Sequence, residues 1–158
     1  MTRNLIILNL LCMGICGAVL AYCYSTYMLP GCPINMDQVA KIESRGHNNA
    51  TSSEGASGRF QIMPGTWARV TRIMYGHSIP FRLARNPVVA GKVANYYLQV
   101  IIPRELRRLH VPVTRQTQLA SYNCGPGGVK RAYRRSHSGW IRYLPAETRG
   151  YLRKYARA

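Results

Sequence analysis

Carboxylates are scarce in this chain: five Asp and Glu stand against 22 Lys and Arg in 158 residues, a formal net charge of +17. Chemistry that needs two paired acids has few residues to draw on. Cysteine is almost confined to one hydrophobic run, where Cys12, Cys16 and Cys23 fall. Only Cys32 and Cys124 remain outside it, so at most one internal disulfide is available, and no spacing demands it. The histidines His47, His77, His110 and His137 are scattered, without paired cysteines or a His-Glu-x-x-His spacing, so no metal site and no cofactor are expected. Period-two alternation of apolar residues is rare, which excludes an extensive sheet, and no internal repeat or low-complexity tract is evident.

Helical periodicity is what remains, and the class it points to is mostly α. Asn35 followed by Gln38 resembles a capping box, with Met36, Val39 and Ala40 at helical spacing behind it. Trp67, Val70 and Met74 mark a second helix ending near Gly76. Asn86-Pro87 is a cap signal ahead of Val89, Val93, Tyr96, Tyr97 and Val100, and Pro103 is expected to end that helix. Leu119 and Tyr122 precede a GPGG stop, and residues 56–62 are placed to pair as a short β-ribbon.

The first residues read differently. Leu5 to Tyr24 form an apolar run of 20 broken only by Asn9, longer than a signal-peptide core and matched to a membrane span of about 20 residues. Residues 1–25 are therefore expected to be an N-terminal hydrophobic helix that anchors the chain to a membrane, and residues 26–158 a single domain. About 130 residues suffice for one real core.

Glu43 is the most informative acid. It follows Met36 by seven residues and so falls on the apolar face of the first domain helix, near that helix's carbonyl end. Burial and the helix dipole both penalise its ionised form. A carboxyl that keeps its proton near neutral pH can act as a general acid. Behind it runs a loop rich in Ser, Gly and Asn.

The residues of that loop carry a family resemblance. Glu43 and Ser44, Ser52 nine positions after the acid, Gly55, Ala56 and Gly58, then Gln61, Met63 and Pro64 form one ordered block. Tyr122 and Asn123 within ASYNCGPGG form a second, and Glu147 within LPAETRGYLRKY a third. The pattern resembles the soluble lytic transglycosylases of bacteria, phages and secretion systems, with Phe60, Ser121 and Cys124 as departures from it. The resemblance implies a goose-lysozyme-like fold and peptidoglycan glycan strands as partner. It further implies Glu43 as catalytic acid and then base, with Ser52, Gln61, Met63, Tyr122, Asn123 and Glu147 at the sugar site.

Ordinary glycosidases hold two carboxylates roughly 5 to 9.5 Å apart. Here Asp37, Glu54 and Glu105 are poorly placed, and Glu147, just after Pro145 in the first turn of a helix, is favoured as the anion. The mechanism implied by the resemblance needs Glu43 alone and yields a 1,6-anhydromuramyl end. A hydrolytic muramidase is the rival within enzymes.

The surplus of charge is not required by any of this. Arginine outnumbers lysine 18 to 4, and residues 104–158 carry 13 basic and 2 acidic side chains. Such a surface suits stem-peptide carboxylates, anionic lipid headgroups or wall polymers. The rival from another class is a basic nucleic-acid- or envelope-binding virion or secretion component without catalysis, although no nucleic-acid motif accompanies the arginines. The expected setting is a domain held on a membrane and facing the periplasm and wall, serving an envelope-spanning assembly, or alternatively a virion.

Overall fold

The computed structural model describes residues 31–157. The expected hydrophobic helix at 1–25 lies outside the described residues. Among the described residues, no helix is long and apolar enough to cross a membrane.

Helix α1 (Met36–Ser44) starts where the Asn35 side chain accepts hydrogen bonds from the backbone N–H groups of Asp37 and Gln38, at 3.0 and 3.2 Å. The reciprocal half of the expected capping box is absent, because the Gln38 amide is donated to the carbonyl of Tyr155. Arg45 and Gly46 take left-handed conformations, and the Gly46 N–H reaches back to the Ala40 carbonyl at 3.0 Å, closing the helix end.

The loop from residue 45 to 63 is not the β-ribbon expected from sequence. Two isolated antiparallel bridges, Thr51 to Ser57 and Ser57 to Ile62, are all that forms. Gly55, Gly58 and Gln61 have positive φ, and turns so closely spaced leave no room for a ladder to lengthen. Gly58 is the tightest of them. A Cβ there would lie 1.9 Å from the Ala84 carbonyl oxygen, so loop and following turn meet backbone to backbone.

Helix α2 (Pro64–Tyr75) has proline in its first turn and ends at left-handed Gly76. Its Trp67 is buried and donates its indole N–H to the Ile79 carbonyl at 2.9 Å. A 3-10 turn (Phe81–Arg85) leads to α3 (Pro87–Tyr96), capped by the Asn86 side chain as expected. Pro103 does not end this helix. A π-turn (Tyr97–Ile101) inserts between α3 and α4 (Ile102–Arg108), so the axis continues past the proline. The wider turn accommodates a residue without an N–H, whose ring would otherwise meet the carbonyl four residues back.

Helix α5 (Arg115–Arg135) begins with a full capping box: Thr114 and Thr117 each accept the other's backbone N–H, at 2.9 and 3.1 Å. The GPGG segment is a kink and not a stop. Gly125, at φ 75 and ψ 154, breaks the helix, and Pro126 starts a second stretch in a new direction. A 3-10 turn (Trp140–Tyr143) and α6 (Ala146–Arg157) complete the described chain.

The core gathers on α5. Leu119 and Val129 from it, Leu98 and Ile102 from the π-turn and α4, and Trp67, Val70 and Val39 are all buried. Each large apolar side chain fully withdrawn from water contributes about 1.5–3 kcal/mol. Gln118 is the buried polar exception. It accepts from the Cys32 N–H at 2.7 Å and donates to the Leu98 carbonyl at 3.0 Å, so the segment entering the domain is tied to its centre. Cys32 and Cys124 are free thiols.

Candidate active site

Glu43 lies in the last turn of α1, whose opposite end is fastened through Asn35 and Gln38 to α6. Burial is the largest influence on its carboxyl and raises the pKa from the ordinary 4.5 to about 7; the negative charge of Glu147 adds to the rise. The Tyr151 hydroxyl and the Lys154 ammonium pull in the other direction and do not overcome burial. Near neutral pH this side chain therefore both holds and releases a proton.

Tyr151 is buried under the acid. Its hydroxyl couples to Glu43 without a hydrogen bond of regular geometry to it or to any other described group, and burial and the carboxylate push its own pKa up. The ring belongs to α6, one turn beyond Glu147, so both side chains lie on one helix face toward Glu43. Tyr151 falls within the LPAETRGYLRKY block but was not among the expected site residues. Its four-residue spacing from Glu147 was the signal that would have found it.

Tyr122 lies on the other flank. Its hydroxyl donates to the Phe60 carbonyl at 2.7 Å, and its ring packs against Tyr97 with centroids 5.7 Å apart. Burial, then the charge on Glu43, pushes its pKa up. Tyr122 thus forms a wall and fastens the loop, its proton already engaged. Gln61, Met63 and Tyr122 line one small pocket of about 50 Å3, together with Ile62, Thr66 and Tyr97. Within it, the Gln61 amide donates to the carbonyls of Gly58, at 2.8 Å, and Ala50, at 3.3 Å. The Met63 side chain is 41% exposed at the start of α2, so it is surface and not core filler.

Asn123 links the kink of α5 to α6: its side chain accepts from the Thr148 hydroxyl at 2.6 Å and donates to Glu147 at 3.3 Å. Glu147 itself is exposed. Ser52 lies within the loop, where its hydroxyl accepts the Ala56 N–H at 3.0 Å and shapes the turn. The structure thus assembles Glu43, Tyr122, Asn123 and Glu147 around one place, with Gln61 and Met63 beside it.

A wider cavity, about 750 Å3, opens at the other end of α1 between Pro33, Gln38, Arg115 and Tyr155. Among the described residues no carboxylate lines it, so acid chemistry belongs to the narrower region at Glu43. Among the described residues, no group of three or more His, Cys, Asp or Glu is arranged to hold a metal ion.

Similar proteins have this framework. Over 123 residues the chain is 31% identical to the soluble lytic murein transglycosylase of Escherichia coli, in each of two strains, covering 73% of this chain and 18% of the relative. It therefore spans about a fifth of the length of those proteins. Among solved structures, an inactive mutant of lytic transglycosylase Slt from Pseudomonas aeruginosa superposes with a TM-score of 0.60 at 26% identity, over 75% of this chain and 19% of that one. The 70 kDa soluble lytic transglycosylase of Escherichia coli gives 0.61 at 24% identity, over 84% and 22%, a likeness of fold. Residues 35–144 match the family model described as the transglycosylase SLT domain. With that match spanning Glu43, the bridged loop and the kink of α5, the chain belongs to the transglycosylase SLT domain family.

Proposed function

We propose that this chain is a peptidoglycan lytic transglycosylase that cleaves the β-1,4 bond between N-acetylmuramic acid and N-acetylglucosamine. The observation that carries this reading is a single partly buried carboxyl, Glu43, held with its pKa near 7. Such an acid is protonated often enough to donate and, once ionised, basic enough to accept. In the first step the Glu43 proton passes to the glycosidic oxygen as the bond from that oxygen to the anomeric carbon breaks. In the second, the Glu43 carboxylate takes the proton of the muramyl 6-hydroxyl as its oxygen bonds to the anomeric carbon. The acid is regenerated, no water is consumed, and the strand ends in 1,6-anhydromuramic acid.

The supporting residues have parts consistent with their contacts. Glu147 lends negative charge beside the site, favouring both the retained proton on Glu43 and a developing cation at the sugar. Asn123 orients Glu147. Tyr122 and Gln61 hold the loop against the cleft, and Met63 offers an apolar contact for a sugar face. Ser52 acts through the loop turn.

Mass spectrometry of digested peptidoglycan tests the reading. Anhydro ends are expected from the parent chain, and none from Glu43→Gln. Reducing ends, one water heavier, would assign a hydrolytic muramidase instead. The apolar run in residues 1–25 supports a further part of the proposal, a domain anchored on a membrane and facing the cell wall; membrane fractionation of the full chain checks it.

A further inference from the structure

The cavity of about 750 Å3 at the far end of α1 does not stand alone. A second, of about 370 Å3, shares Gln116, Leu152 and Ala156 with it, so the two make one trough along the start of α5 and the last turns of α6. Ile34, Leu119, Leu152 and Ile141 give the trough apolar walls. It plays no part in the proton transfers. Glu43 lies seven residues beyond Met36, about 10 Å along α1, and α6 runs from the acid at Tyr151 to the trough at Tyr155.

The rim of the trough is cationic. Arg149, Arg153 and Arg157 follow at four-residue intervals and so form one stripe along α6. Arg149 and Arg153 line the smaller cavity and Arg115 the larger, and Arg115, Arg153 and Arg157 are exposed. Arg115 donates to the Pro33 carbonyl at 3.2 Å, and Arg149 to the carbonyls of Arg142 and Leu144, bonds that hold the side chains without cancelling their charge. Among the described residues no carboxylate lines either cavity. Asp37, in the first turn of α1, faces Arg59 at 3.6 Å instead, and the other ion pair, Arg69 with Glu105, does not involve these arginines.

The course of the chain indicates what lies opposite this face. Gly31 donates its N–H to the Gln99 carbonyl at 2.9 Å and Cys32 donates its own to Gln118, which brings Pro33 to the wall of the larger cavity. The described residues thus begin beside the trough. Seven residues separate Gly31 from Tyr24, the end of the 20-residue apolar run, and seven residues reach at most about 25 Å. On the anchored reading, a bilayer surface lies within that reach. Phosphates of anionic phospholipid suit forked guanidinium groups, and the acyl region behind them suits an apolar floor. An acidic peptide would satisfy the charge, but the bilayer is what the length of the chain brings to this face. We propose that the trough edged by Arg115, Arg153 and Arg157 docks on anionic phospholipid headgroups, holding the domain with Glu43 turned away from the bilayer. This rests on the anchored reading and adds a fixed orientation to it.

The test uses the full chain reconstituted in vesicles of phosphatidylcholine, alone or mixed with phosphatidylglycerol. Flotation at high salt reads the anchor, and the chain is expected to float with both. Amide hydrogen exchange reads the docking. Residues 115–119 and 152–157 are expected to exchange about tenfold more slowly on the phosphatidylglycerol vesicles, and residues 87–96 at the same rate on both. Each arginine at an anionic surface is worth about fivefold in association, so Arg115→Gln/Arg153→Gln/Arg157→Gln is expected to lose the difference. Arg72→Gln/Arg82→Gln/Arg108→Gln, of the same net charge, is expected to keep it. Unchanged exchange at residues 87–96 shows that both variants are folded.

Equal exchange on the two vesicle types, or a difference that survives in the trough variant, overturns the proposal, and flotation with both lipids then leaves the anchor intact. A chain that floats with neither overturns both. Flotation with the anionic vesicles alone, lost in the trough variant, keeps the docking and removes the anchor. Soluble polyglutamate that slows the same amides as much as the vesicles do would assign an acidic protein partner and overturn the lipid assignment.

Discussion

Replacing Glu43 with Gln should make the protein more stable at alkaline pH and leave it unchanged in acid. The carboxyl pKa rises from 4.5 to about 7 on folding, with burial as its main cause. Each unit corresponds to about 1.4 kcal/mol, so the ionised side chain destabilises the folded state by about 3 kcal/mol. The sign follows from which state ionises first. Below pH 4.5 the group is neutral in both folded and unfolded chains and there is no penalty. Between pH 4.5 and 7 the unfolded chain ionises while the folded one retains its proton, so stability falls, and above 7 the loss is complete. Glutamine has nearly the same shape and does not titrate. Thermal unfolding of parent and variant, followed from pH 4 to pH 8.5, is expected to give coincident midpoints at pH 4 and a variant roughly 10 °C higher at pH 8. A difference that does not change with pH, or a variant less stable than the parent at pH 8, would refute the buried acid and with it the catalytic argument.

In the proposed reaction the same carboxyl sets the rate. On peptidoglycan, kcat/KM should fall about tenfold per pH unit above about 7, as Glu43 loses the proton it must donate. Glu147→Gln removes a like charge and should move that limb to lower pH, whereas Tyr151→Phe removes a group that favours the anion and should move it to higher pH. A limb that stays put in both variants argues against Glu43 as the titrating acid. Gly58→Ala should destabilise the domain by more than about 2 kcal/mol in urea unfolding, since positive φ and a 1.9 Å approach to the Ala84 carbonyl both oppose a side chain. Gln118→Ala should reduce stability by about 2 to 4 kcal/mol in the same assay, because it leaves the Cys32 N–H and the Leu98 carbonyl without their partner inside the domain.

Features set by local chemistry were legible in the chain. Asn86 caps its helix as read, and Asn35 does so without the reciprocal Gln38 bond, because a cap depends on one side chain and the next three backbone N–H groups. The environment of Glu43 followed from apolar spacing on one helix. Features set by distant partners were not legible. Pro103 looked terminal because the π-turn that accommodates it has no sequence signature of its own. The GPGG segment looked like a stop because Gly125 does break the helix, and nothing local says that Pro126 restarts it. The pairing expected in residues 56–62 shrank to bridges because three positive-φ residues turn the chain too often. Ser52 and Gln61 illustrate a further gap. A loop with little secondary structure must satisfy its own backbone groups, and it uses those two side chains to do so.

Because Tyr122 reaches across to a main-chain oxygen at position 60, that latch is indifferent to which side chain the position carries. Evolution is free to exchange the bulky ring of Phe60 for another residue of similar volume without unfastening the two edges of the groove. The tyrosine enjoys no such latitude, since the bond depends on its single hydroxyl oxygen.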